Sequence, residues 1–84
     1  MTFRERVIKR LTNNHFIDKG GCYIWTGHVE CHGYGSTYFD GKIMFVHRLS
    51  AFLFLNYNLF SKITVRHRCK NRHCFNPNHL FFKP

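Results

Sequence analysis

His67-Arg68-Cys69-Lys70-Asn71-Arg72-His73-Cys74-Phe75-Asn76-Pro77-Asn78-His79-Leu80 is the stretch on which the fold turns. Within it Cys69, Cys74 and His79 recur five positions apart, as C-x4-C-x4-H. Two thiolates and an imidazole are donor types that zinc prefers, and Asn76-Pro77 supplies a turn that lets a loop wrap a tetrahedral ion. A fourth ligand must come from elsewhere in the chain, or from water at a catalytic ion. The candidates are Cys22, Cys31, His28 and His32. Cys22 is preferred because it opens a predicted strand, a fixed position from which a thiolate can be aimed. Cys31 sits in a glycine-bounded loop and remains the alternative. A second cluster of His28, Cys31 and His32 competes with a plain solvent-exposed loop. That all these groups are ordinary buried thiols and surface histidines is the weaker reading, because so short a chain needs a staple.

The 84 residues make one domain, 1–84, with a thin core. The charged start Met1-Thr2-Phe3-Arg4-Glu5-Arg6 lacks the apolar run of a signal peptide, and no apolar stretch approaches the roughly 20 residues of a membrane span. Four cysteines and seven histidines in such a chain point to a reducing, cytoplasmic setting and to metal ligation before disulfides. Thirteen basic against four acidic side chains give a formal charge of +9. Residues 1–40 hold five of the basic groups and all four acids. From Gly41 onward Lys42, Arg48, Lys62, Arg66, Arg68, Lys70, Arg72 and Lys83 stand without a single Asp or Glu. Such a block repels itself, and a polyanion relieves it. Nucleic acid is the natural partner. No basic amphipathic helix serves the rival, an anionic membrane surface, and a merely solvated basic face is the bland alternative.

The order of elements predicts a small α+β domain. Thr2 and Glu5 form a capping box, and Phe3, Val7, Ile8 and Leu11 recur at helical spacing, giving an N-terminal helix within 1–14. His15 to Gly21 reads as a loop. Short antiparallel strands fill 22–46, with Asp40-Gly41 as the hairpin signal between Tyr34–Phe39 and Lys42–Val46. A central helix follows over 47–58. His47 and Arg48 at its start could meet phosphate or cap the core. Ile63 to Arg66 predicts a last strand, leading into the zinc loop of 63–80.

His67, two residues before Cys69, is held by the metal loop. A fixed neutral imidazole can take a proton from water, and Arg66, Arg68 and Arg72 beside it can grip phosphate in bidentate fashion. A purely packing or phosphate-touching His67 is the equal alternative on the residues alone. Cys22-Tyr23-Ile24-Trp25-Thr26-Gly27, Gly33-Tyr34-Gly35, Val46-His47-Arg48-Leu49 and H-x-C-x4-C-x-N-P-x-H-L together resemble the zinc-containing His-Me finger (ββα-metal) endonucleases, of the HNH and His-Cys box, phage homing type. The resemblance implies a ββα-metal fold with structural Zn²⁺ on Cys22, Cys69, Cys74 and His79. It implies His67 as general base and double-stranded DNA as substrate; on the basic residues themselves, Arg48, Arg66, Arg68, Lys70 and Arg72 are the expected DNA contacts. In that family a further helix carries an asparagine ligand for Mg²⁺. Only five residues follow His79 here, so the expected fold is a truncated version. The expected function is a DNA-binding protein of regulatory or inhibitory type in a phage, with a protein partner or homodimer as a further expected association. The alternative is an active Mg²⁺-dependent endonuclease.

Overall fold

In a computed structural model, which describes residues 1–83, the Thr2–Glu5 capping box opens helix α1, Phe3–Thr12. The Thr2 hydroxyl accepts from the Glu5 N–H, and the Glu5 carboxylate reaches back to the Thr2 N–H, so two orphan donors are satisfied at once. Val7 and Leu11 are buried on one face while the Arg10 guanidinium lies across the Phe39 ring at 4.6 Å. Asn13 caps the C-terminal end.

His15 to Gly21 is not all loop, as its sequence suggested. His15–Ile17 forms strand β1, antiparallel to β2, Tyr23–Trp25, with His15 opposite Trp25. Phe16 and Ile17 are both exposed, so this rim strand has no inside–outside alternation to betray it. Trp25 is the centre of the main core, with Val7, Leu11, Phe39, Val46, Leu49 and Phe75 around it. Its indole N–H donates to the His28 carbonyl at 3.0 Å. Gly27 and Gly35 press against the ring so closely that a Cβ would stand 2.5 Å and 2.6 Å from its carbons.

Strands β3, Ser36–Phe39, and β4, Lys42–Phe45, form the hairpin that Asp40-Gly41 predicts. Both turn residues have positive φ, 52° and 80°, as a two-residue primed turn requires. Helix α2, Val46–Phe54, starts directly from β4 and ends four residues before the expected boundary. Asn56 takes φ 59°, a conformation Asn tolerates, and turns Tyr57 inward to a second cluster with Ala51, Val65 and Leu80. Of the predicted last strand only Arg66 pairs. Strand β5 is Arg66–His67, and its partner β6, Leu80–Phe81, was not expected. The pair closes the base of the histidine–cysteine loop, where Arg68 N–H also donates to the His79 carbonyl at 2.6 Å. The described residues therefore form a small mixed α+β architecture of two α-helices and three two-stranded antiparallel pairs. Among the described residues no helix is long and apolar enough to cross a membrane.

Candidate functional site

The strand β2 and the loop after β5 are stitched together by the main chain. Ile24 bridges Cys74, Trp25 N–H donates to His73 O at 3.0 Å, and Phe75 N–H donates to Tyr23 O at 2.9 Å. The segment around Cys74 thus lies beside β2, which brings Cys22 to the loop from 57 positions away from His79. Asp18 fixes Cys22 from the other side, because its carboxylate accepts from the Gly20 and Cys22 N–H groups, both at 2.9 Å. Asn76 completes the frame. Its amide donates to Gly21 O at 2.7 Å, while its side-chain oxygen accepts from Asn78 N–H and caps the 3₁₀ turn Pro77–His79. Asn76 is buried, so Asn-Pro here is a structural joint as well as a turn.

Cys22, Cys69, Cys74 and His79 consequently form one cluster, with their donor atoms all within 4.8 Å of one another. Cys22 Sγ and Cys74 Sγ lie 3.5 Å and 3.6 Å from His79 Nδ1. A tetrahedral ion with metal–sulfur bonds of about 2.3 Å and metal–nitrogen bonds of about 2.0 Å sets sulfur–nitrogen edges of about 3.5 Å. The four residues therefore fit a metal ion, and Cys22 is the fourth member. Cys31 is exposed and outside the cluster. No disulfide joins the cysteines. Burial pushes the Cys22 thiol up to about 12, with the Cys74 and Cys69 thiols adding to the shift, and burial raises Cys74 as well. A cation at the centre would draw those protons off, since it stabilises thiolate directly.

His67 stands at the edge of this cluster on β5. Its Nε2 lies 2.9 Å from the Cys74 carbonyl. A carbonyl only accepts, so Nε2 carries the proton and Nδ1 keeps its lone pair. Burial lowers the His67 pKa. The Cys74 carbonyl opposes that shift, and the Arg72 charge adds to it. Around His67 opens a cavity of about 400 Å³ whose walls include Tyr34, Thr64, Arg66, Lys70 and Arg72, and no carboxylate. Lys70 holds φ 59°, and Arg72 donates to the His32 carbonyl at 2.6 Å while lying 5.2 Å over the Tyr34 ring.

His47, which the sequence left between phosphate contact and core capping, is a core residue. It is 7% exposed and packs 5.0 Å from both the Tyr34 and the His67 rings. Burial lowers its pKa to about 3, helped by His67 and Arg48. Arg48 does not reach the cavity. It donates to the Leu59 and Ser61 carbonyls at 3.1 Å and 2.9 Å and lines a different groove. Arg68 lies over the Phe81 ring at 4.8 Å, also away from the cavity walls. Sequence reasoning missed Asp18 and Tyr34 as site residues. Asp-x-Gly at 18–20 is a side-chain-capped turn signal that could have exposed the first. Tyr34 was legible only as part of Gly33-Tyr34-Gly35, and its packing role was not, because that depends on two histidines that meet it only in three dimensions.

Fold and site together define a small α+β domain with a Cys₃His cluster able to hold a metal ion and a basic, histidine-bearing cavity beside it. The chain is similar to Protein 2.8 of Escherichia phage T7, with 32% identity over 82 residues. That alignment takes in 95% of this chain and 52% of the relative, so the chain spans about half the relative's length. No protein-family model matches the chain, and no solved structure matches it.

Proposed function

We propose that the chain is a zinc-stapled module of the His-Me finger kind that binds double-stranded DNA. The observation that carries this is the convergence of Arg66, Lys70 and Arg72 on one acid-free cavity with His67. Three cations that no nearby carboxylate compensates suit a phosphate backbone. An antiparallel strand pair, β5/β6, with Cys69, Cys74 and His79 in the loop between its strands is consistent with this reading. The three thiols and one imidazole favour zinc, and a closed donor set suits a structural ion. The phage source of the relative supports a phage protein working in the host cytoplasm.

Binding to duplex DNA, followed by fluorescence anisotropy over a salt series, tests the reading. Three phosphate contacts give a slope of log K on log salt of about −2.7, and Arg72→Ala reduces its magnitude by about 0.9. A flat response overturns it.

A second reading, phosphodiester cleavage, is favoured by one observation: the Nε2–Cys74 hydrogen bond leaves Nδ1 of His67 ready to accept a proton from water. Mg²⁺, which the resemblance implies, takes oxygen ligands, usually including carboxylate. The cavity walls supply none, so these residues do not make a Mg²⁺ site and no step is assigned to that ion. DNA binding is therefore the conclusion. Nicking of supercoiled plasmid in Mg²⁺ that disappears in His67→Ala, with DNA affinity kept, would promote the second reading over the first.

A further inference from the structure

A second concavity, sharing no residue with the His67 cavity, lies between the start of α1, β4, α2 and the loop 56–60. It encloses about 710 Å³, and its walls are apolar: Phe3, Ile43, Phe45, Phe52, Leu59 and Phe60. Phe60 is 91% exposed and Ile43 55%, an arrangement that costs free energy in water unless something covers it. Arg4, Lys42 and Arg48 also line the groove, and Asp and Glu do not. The ion pairs among the described residues are Arg6–Asp40 and His28–Glu30, so none of these three cations has an acidic partner there. Arg4 rests over the Phe52 ring at 4.6 Å, and the Nε of Arg48 is buried without a hydrogen-bond acceptor.

We propose that this groove docks an acidic amphipathic segment of a partner protein, with Phe, Leu or Ile side chains in the trough and Asp or Glu against the three cations. Charge complementarity selects that occupant. A second copy would bring its own three cations to the same face, and like charges oppose that pairing. Nucleobases carry polar edges that need partners, whereas Asn58 already accepts from the Phe60 N–H at 2.9 Å and most of the wall is hydrocarbon. A wholly apolar segment would desolvate the three cations without bringing the negative charge that compensates them, since Arg4 and Arg48 meet only neutral groups here.

Selection of binders from a random-peptide library on the intact protein tests this directly, with fluorescence anisotropy on the enriched peptides. The expected peptides combine Asp or Glu with bulky apolar residues. Ile43→Ser with Phe60→Ser should weaken them at least about tenfold, as loss of central apolar anchors does. Lys42→Glu should weaken them and flatten the salt dependence. All three positions are exposed, so metal content and melting temperature should stay as in the wild type, and duplex-DNA affinity should do so in the uncharged Ile43→Ser with Phe60→Ser variant. Enrichment of neutral or basic peptides, an absence of binders, or affinity indifferent to these substitutions overturns the proposal. So does self-association in sedimentation, or single-stranded DNA binding, that the same substitutions abolish.

Discussion

Replacing Cys22 by Ala isolates the long-range part of the stability that an ion in the Cys₃His cluster would supply. Cys69, Cys74 and His79 lie close in sequence and could still share an ion, but the tie between residue 22 and the loop would be gone. Closing a loop across the 57 positions from Cys22 to His79 restricts the unfolded chain by about 4 kcal/mol in the chain-entropy treatment. An 84-residue domain has a total stability of about 4–13 kcal/mol, so this one tie is comparable with the whole. Loss of the buried sulfur itself adds about 1 kcal/mol. At about 4–8 °C per kcal/mol for a domain this size, these contributions together should make Cys22→Ala melt roughly 20–40 °C below the wild type. Cys69→Ala is the control, because Cys22, Cys74 and His79 keep the long tie; it should lose much less. Circular-dichroism melts with and without a zinc chelator, beside elemental analysis, read the effect. Chelation should lower the wild type at least as far as the Cys22 substitution does. If the chelated wild type melted within a few degrees of the untreated protein, or if Cys22→Ala and Cys69→Ala were equal, the staple argument would fail.

Acid should destabilise the domain through His47. Its folded pKa of about 3 lies below the ordinary 6.5, so the unfolded chain binds the extra proton between those values. The stability His47 contributes is full above about pH 6.5 and is lost as pH falls toward 3, at about 1.4 kcal/mol per pH unit. His67, Tyr34 and Arg48 face it, and none is acidic. His47→Gln, titrated by denaturant unfolding across that window, should show a shallower acid slope by about 1.4 kcal/mol per unit, and an unchanged slope would refute the assignment. Gly35→Ala should cost about 1–3 kcal/mol, because its Cβ meets the pinned Trp25 ring at 2.6 Å, whereas Gly20→Ala meets nothing nearer than 3.6 Å and should be close to neutral. Equal melting temperatures for the two variants would mean that the ring yields.

Local rules written in neighbouring residues determined a good deal. The Thr2–Glu5 box, the Asp40-Gly41 turn and the C-x4-C-x4-H spacing each join groups only a few positions apart, so α1, the β3/β4 hairpin and three members of the Cys₃His cluster were legible directly. Choosing Cys22 over Cys31 leaned on its place at the head of a strand, and the cluster contains it. Tertiary structure decided the rest. β1 and β6 are two or three residues long and owe their existence to partners, not to a pattern of their own. The end of α2 was set by Tyr57 finding a second core, which no helical periodicity announces. Seven basic side chains between Arg48 and Lys83 look equivalent in sequence. Only packing turns Arg66, Lys70 and Arg72 onto one cavity and sends Arg48 to another groove, because where a long side chain ends depends on the carbonyls and rings that happen to surround it.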